Sequence, residues 1–188
     1  MGRVRLWLVR HLPPAVSAGV CYGRTDLPLA VPLQAQAEMV NRIRQNVPEG
    51  LPVFSSPLRR CAELALALSD HVAHDPRLRE LDFGAWEMQS WDDIGPSALD
   101  AWADDLAGFR PPAGETGYEL QQRALEWLRE ASRLHTDMVV VTHAGVMRAL
   151  QAHQQSLPGT DWLVLRYDYG QVVQLEFTTE QINMAPVQ

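Results

Sequence analysis

The chain has 188 residues, of which 46% are hydrophobic, and a formal net charge of -7. That length suits one domain spanning 1–188, with a sizeable core that needs no disulfide or metal staples. The acidic balance argues against nucleic acid as the main partner, because such binders present an accumulated positive face.

Apolar runs all fall short of the roughly 20 residues needed to cross a bilayer, and the N-terminus lacks the charged start and apolar stretch of a secretory signal. A cytoplasmic address without membrane contact is therefore expected. Cys21 and Cys61 provide neither a disulfide framework nor metal-ligand spacing, and read as reduced thiols.

The four apolar residues from Leu6 to Val9 suit a strand buried on both faces. The run stops at Arg10 and His11, which a buried strand cannot carry cheaply. Ligands of open α/β sheets bind outside the carboxyl ends of the strands, so this pair is placed for chemistry. Proline and glycine density makes the stretch from Leu12 to Leu29 a structured connection. A helix is predicted over 33–47, with Gln36, Val40, Ile43 and Val47 on one face and Pro48, Gly50 and Pro52 ending it.

A short strand over 52–55 leads to an Ala/Leu-rich helix from Arg59 to Leu68. Ser56 is expected as its N-cap, with Pro57 at the first helical position. Such a helix head would present free backbone N–H groups together with two arginines, which is an anion site. Residues 77–87 mix charge with bulky apolar side chains and show no period. Between Trp91 and Phe109 short helices are expected, interrupted at Gly95-Pro96.

Thr116 and Glu119 make a capping box that opens a long helix, with Leu120, Ala124, Trp127, Leu128 and Ala131 on its buried face. Residues 138–142 form a second strongly buried strand, which ends as the first does, at a histidine. After His143-Ala144-Gly145 a helix is expected over about 146–153. Residues 163–167 and 172–177 read as a closing hairpin around Tyr169-Gly170, and the polar tail after Thr178 should fray. Strands alternating with helices predict an α/β layered fold with a mainly parallel sheet.

If Arg10, His11, Arg60 and His143 meet at one rim of that sheet, they form a cup of guanidinium groups, imidazoles and backbone donors that matches a phosphoryl dianion. No carboxylate or thiol cluster accompanies the histidines, so neither metal nor cofactor is expected. Phosphoryl transfer would then rest on positioning and charge neutralisation. A neutral imidazole can attack phosphorus directly, and the leaving alkoxide needs a proton from a carboxylic acid. Glu80, in the aperiodic stretch that ends in Phe83-Gly84-Ala85-Trp86, is the best candidate donor. Pairing of Glu80 with Arg77 or Arg79, and a solvated Arg60, are the duller alternatives.

Together these pieces resemble the histidine phosphatase superfamily over almost the whole chain. Leu8-Val9-Arg10-His11 is similar to its Arg-His-Gly signature, Ser56-Pro57-Leu58-Arg59-Arg60-Cys61 to its Ser-x-Leu-x-Arg-Ala element, and Val141-Thr142-His143-Ala144-Gly145 to its second-histidine motif. The resemblance implies a three-layer α/β/α sandwich. It also implies His11 as phosphate acceptor, Arg10, Arg60 and His143 as the phosphate pocket, and Glu80 as proton donor. The motif selects Arg60 over its neighbour Arg59, which spacing alone leaves open.

Within the superfamily, the stretches 22–29, 81–87 and 114–116 are most similar to α-ribazole-5'-phosphate phosphatases of cobalamin nucleotide-loop assembly. Tyr22, Gly23, Arg24, Trp86 and Ala144 are then expected to contact a small phosphorylated metabolite, with Tyr22 and Trp86 stacking on a flat heteroaromatic group. A homodimer is left open. Leu12 departs from the pattern by replacing the glycine after the catalytic histidine, and the Thr and Asn usual a few residues later are missing from 13–17. Leu33 stands where many relatives have glycine. The first two departures motivate two alternatives. One is a broad-specificity or phosphoglycerate mutase-like enzyme, although the compact chain favours a hydrolase; the other is a non-catalytic domain that holds a phosphorylated ligand.

Overall fold

The computed structural model describes residues 2–185. Five strands, β1 (Arg3–Arg10), β2 (Val53–Ser55), β3 (Val72–His74), β4 (Asp137–Thr142) and β5 (Val172–Thr178), form one sheet in the order β3-β2-β4-β1-β5. Three of the pairings are parallel, and only β5 runs antiparallel to its neighbour β1. The helices are α1 (Ala37–Gln45), α2 (Arg59–Leu68), α3 (Trp91–Ile94), α4 (Pro96–Asp104), α5 (Gly117–Ala131), α6 (Ala144–Gln155) and α7 (Thr179–Asn183).

Alternation along the central strands divides the core into two layers, because successive strand side chains point to opposite faces. Leu6, Leu8, Met138 and Val140 pack with Leu120, Trp127, Met147 and Leu150 of α5 and α6. Trp7, Val9, Val139 and Val141 pack on the other face with Val40, Ile43, Cys61 and Leu64 of α1 and α2. The result is the expected three-layer sandwich with a mainly parallel sheet.

Several local expectations hold. Helix α2 spans the predicted residues, the Thr116–Glu119 capping box opens α5, and all five residues named for the inner face of α5 are buried. Short helices do occupy the Trp91–Phe109 region, divided at Gly95 with a φ of +88°.

Four expectations are corrected. The first long helix begins as a 3-10 turn, Leu33–Gln36, before α1. Ser56 does not cap α2; Leu58 occupies that position without a side-chain cap, because the Ser56 hydroxyl is drawn into the sheet rim. There is no closing hairpin: Gly159–Val164 is a 3-10 turn, and β5 pairs instead with the free edge of β1 over seven residues. A long register along an open edge outweighs a short local pairing. Finally, Thr179–Asn183 does not fray, while residues 186–188 of that tail lie outside the described residues. Thr178 and Gln181 make a second capping box there, a Thr-x-x-Gln signal that the sequence carries openly. The exposed strand β3 was not anticipated at all.

Candidate active site

Strands β1 and β4 run parallel in a register that places Arg10 beside Thr142. The next residue of each strand is therefore a histidine at the same sheet rim. Neighbouring strands lie about 4.8 Å apart, and the rings of His11 and His143 are 5.1 Å apart between centroids, edge to face. Strand β2, on the far side of β4, ends beside the same rim and delivers Ser56, whose N–H donates to Val141 O at 3.0 Å. Its hydroxyl meets His143 Nε2 at 2.8 Å.

His11 is 1% exposed and His143 fully buried. His11 Nδ1 lies 2.7 Å from the carbonyl oxygen of Leu12. A carbonyl can only accept, so Nδ1 carries the proton and the lone pair resides on Nε2. Burial, reinforced by the positive charges of Arg60 and Arg10, pulls the His11 pKa down to about 3. Burial and Arg60 hold His143 well below its ordinary value too. Both rings are neutral at physiological pH.

Arg60, fully buried at the head of α2, is aimed by two carbonyls: Nη1 donates to Thr25 O at 2.8 Å and Nη2 to Gly23 O at 2.7 Å. Arg10 donates from Nη1 to Tyr167 O at 2.6 Å, and its guanidinium lies 3.9 Å from the ring centroid of Tyr169. The Tyr169 hydroxyl in turn meets that of Tyr22 at 2.9 Å, and the Tyr169 ring lies 5.5 Å from His11. The buried Nε atoms of Arg10 and Arg60 have no hydrogen-bond partner. Their N–H groups are unused donors.

Glu80 follows β3 and reaches the same rim. Its Oε1 accepts from Leu81 N at 2.9 Å and its Oε2 from Gly145 N at 3.2 Å, at the start of α6. Arg123 of α5 braces it from behind by donating to the carbonyls of Arg77 and Glu80 and to the Glu115 carboxylate. The alternative pairing of Glu80 with Arg77 is not formed, since Arg77 engages Asp75 and Glu130.

The structure thus brings Arg10, His11, Arg60, Glu80 and His143 to one end of the sheet, with Tyr22 and Gly23 beside them and Ala144 opening α6. Arg24 is placed differently. Its guanidinium contacts Asp82 at 3.2 Å and Glu115 at 3.0 Å, tying the loop after His11 to the loop after Glu80 and to the segment before α5. Trp86 is 6% exposed and stacked on Phe109, so it presents little face to a ligand. Sequence reading missed Tyr169, taken as a turn residue, and Ser56 as a partner of His143. It also missed Arg148, which lines a cavity beside Glu80 one turn after Ala144. Among the described residues, no group of three His, Cys, Asp or Glu side chains could hold a metal ion. No helix there is long and apolar enough to cross a membrane.

A family model described as histidine phosphatase superfamily (branch 1) matches residues 6–187. The chain belongs to that superfamily. It is 32% identical over 178 residues to a glucosyl-3-phosphoglycerate phosphatase of Mycolicibacterium vanbaalenii, covering 86% of this chain and 78% of the relative. It is 30% identical over 177 residues to an adenosylcobalamin/alpha-ribazole phosphatase of Escherichia coli, covering 89% and 87%. The native structure of a mycobacterial glucosyl-3-phosphoglycerate phosphatase superposes with a TM-score of 0.82 at 27% identity, covering 95% of this chain and 92% of that one. This histidine phosphatase is accordingly placed among the phosphoric monoester hydrolases. In this member Leu12 stands in the glycine position of the signature, and its side chain is fully buried in the layer shared with α1 and α2. Gly170 makes room for it, since a Cβ there would press on Leu12.

Proposed function

We propose that this chain is a metal-independent phosphomonoesterase that works through a phosphohistidine on His11 and acts on a small phosphorylated metabolite, with α-ribazole 5'-phosphate the leading candidate. The observation that carries the reading is the His11 tautomer: Nδ1–H is held by Leu12 O, so the lone pair is on Nε2, on a ring that feels the positive charges of Arg60 and Arg10. In the first step Nε2 bonds to phosphorus while the bond to the ester oxygen breaks, and Glu80 passes a proton to the departing alkoxide. The positive charge left on the ring is stabilised by Leu12 O, which continues to accept the Nδ1 proton. In the second step Glu80 takes a proton from water, the water oxygen bonds to phosphorus, and the N–P bond breaks to release phosphate.

Arg10, Arg60 and His143 hold the phosphoryl oxygens. The two guanidinium groups, each aimed by backbone carbonyls, support this role, because their positive charge would neutralise an oxyanion. A departing phosphate leaves the donors as they were, so the site resets without rearrangement.

Turnover of p-nitrophenyl phosphate in EDTA, lost in His11→Ala, tests the enzyme reading; pure folded protein that hydrolyses no phosphate ester would favour the ligand-holding alternative. A second substrate, glucosyl-3-phosphoglycerate, is favoured by the 32% identity to the mycobacterial enzyme. Comparing kcat/KM for the two phosphates separates them, and a higher value for the sugar-linked ester removes the cobalamin reading.

A further inference from the structure

Glu87 closes the aperiodic stretch that contains Glu80, and a short antiparallel contact brings it against the loop after His11. Cys21 N donates to Gln89 O at 2.9 Å, Met88 N to Cys21 O at 2.6 Å, and Trp91 N to Gly19 O at 2.9 Å. The turn that follows Cys21 is thereby laid across the Glu87 carboxylate. Oε1 accepts from Arg24 N at 2.8 Å and from Phe83 N at 3.2 Å, while Oε2 accepts from Thr25 N at 2.7 Å and from the Thr25 hydroxyl. A carboxylate offers about four lone-pair sites, and here neutral donors fill them. Among the described residues Glu87 forms no salt bridge. Gly23 fits the turn by lacking a side chain: its φ is +34°, and a Cβ there would lie 2.5 Å from Glu87 Oε1 and 2.6 Å from Leu81 O.

One peptide unit of that turn serves both Glu87 and Arg60. The N–H of the Gly23–Arg24 unit donates to Glu87, and its C=O, which points the opposite way in a trans peptide, accepts from Arg60 Nη2 at 2.7 Å. Arg60 Nη1 donates to Thr25 O, two units along the same turn, at 2.8 Å. Arg60 is fully buried, and among the described residues it too forms no salt bridge. A carboxylate in direct contact would hold the guanidinium as firmly but would compete with a phosphoryl oxygen for its charge. We propose that Glu87 is a positioning residue for the phosphate pocket: acting through the Gly23–Thr25 turn, it fixes where the Arg60 guanidinium points while leaving that charge available to the phosphoryl group. The inference rests on Arg60 holding phosphate, and it extends that reading to a side chain that reaches Arg60 through backbone alone. A carboxylate on the N–H side also polarises the shared unit, which strengthens its carbonyl as an acceptor.

The test measures binding of orthovanadate, a phosphate-like oxyanion, by calorimetry. Glu87→Gln keeps the shape of the side chain and replaces one acceptor oxygen with an NH2 that faces the donors of the turn. Alone it should weaken binding roughly tenfold, about the worth of one hydrogen bond to a charged group. In an Arg60→Lys background, where no guanidinium remains to be aimed, the same substitution should weaken binding less than about twofold. In an Arg10→Lys background the full tenfold should return, because Arg10 is aimed by Tyr167 O and not by this turn. A general loosening of the fold would weaken binding alike in both backgrounds. Thr25→Val removes one of the four donors and should give part of the loss, whereas Thr25→Ser should bind as wild type does; if Glu87→Gln does not fold, Thr25→Val takes its place in both backgrounds. Equal losses in the two backgrounds overturn the proposal, as does wild-type binding by folded Glu87→Gln or by Thr25→Val. Undiminished binding by Arg60→Lys itself overturns the phosphate role of Arg60, and the proposal with it.

Discussion

The main-chain N–H of Gly145 donates to Glu80 Oε2 at 3.2 Å, and the same glycine leaves open the space in which Glu80 Oε1 lies, since a Cβ at position 145 would overlap that oxygen. The third residue of the His143-Ala144-Gly145 run thus fits the carboxylate by having no side chain. Gly145→Ala should push Glu80 off its position while leaving the two histidines in place. On the proposed mechanism, phosphoenzyme formation from an alkyl phosphate should fall roughly 100-fold, within the range of lost general acid catalysis. With p-nitrophenyl phosphate, whose leaving group needs little protonation, the loss should be much smaller, and Glu80→Gln should show the same contrast. Rapid-quench measurement of the adduct decides it; equal losses on both esters would deny Glu80 the role of acid.

The low pKa of His11, about 3, has consequences for both activity and stability. Neutral imidazole persists well below pH 6.5, so the acid limb of the kcat/KM profile should not show the ionisation of His11 at its ordinary value. Stability moves the other way. Unfolded histidines take up protons below about pH 6.5 while buried His11 and His143 do not, so folding free energy is complete above that pH and declines as the pH falls toward 3. The limiting slope is ~1.4 kcal/mol per pH unit for each histidine. Urea denaturation between pH 7 and 5 should show the decline, and His11→Asn should reduce its slope.

Leu12 is fully buried in the layer shared with α1 and α2. Restoring the signature glycine by Leu12→Gly therefore opens a cavity instead of repairing a defect, at a cost of about 2–5 kcal/mol on the scale of Leu-to-Ala core substitutions, with added backbone freedom. Denaturation should report that loss, and turnover per folded molecule should not rise. A variant as stable as wild type would show that the site tolerates either residue.

Tyr169 holds the Arg10 guanidinium against its ring at 3.9 Å. Vanadate should bind this site as a mimic of the five-coordinate phosphoryl group, and Tyr169→Leu, which removes the cation–π contact, should weaken that binding about 3- to 30-fold. Tyr169→Phe keeps the ring and loses only the hydroxyl pair with Tyr22, so its effect should be small. Equal weakening by both substitutions would move the role of Tyr169 from the ring to its hydroxyl.

Most elements were legible because local patterns specify them. The uninterrupted apolar runs at Leu6–Val9 and Met138–Val141, the Ala/Leu composition of α2 and the Thr116–Glu119 capping box each act within a few residues, and each appears where expected. Two of the errors fell where a distant partner decided the outcome. Strand β5 left its local hairpin for the edge of β1, and Ser56 turned from a helix cap toward His143.

By itself the sequence determined that two buried strands end in histidine, that Arg60 stands near the head of a helix, and that Glu80 lies in an irregular stretch of chain. Only the tertiary structure decided that those strands are neighbours, in a register that sets His11 against His143, and that Tyr169 covers Arg10. Periodicity records which face of an element is apolar, whereas strand order and register depend on how whole layers pack, over separations that no local pattern encodes.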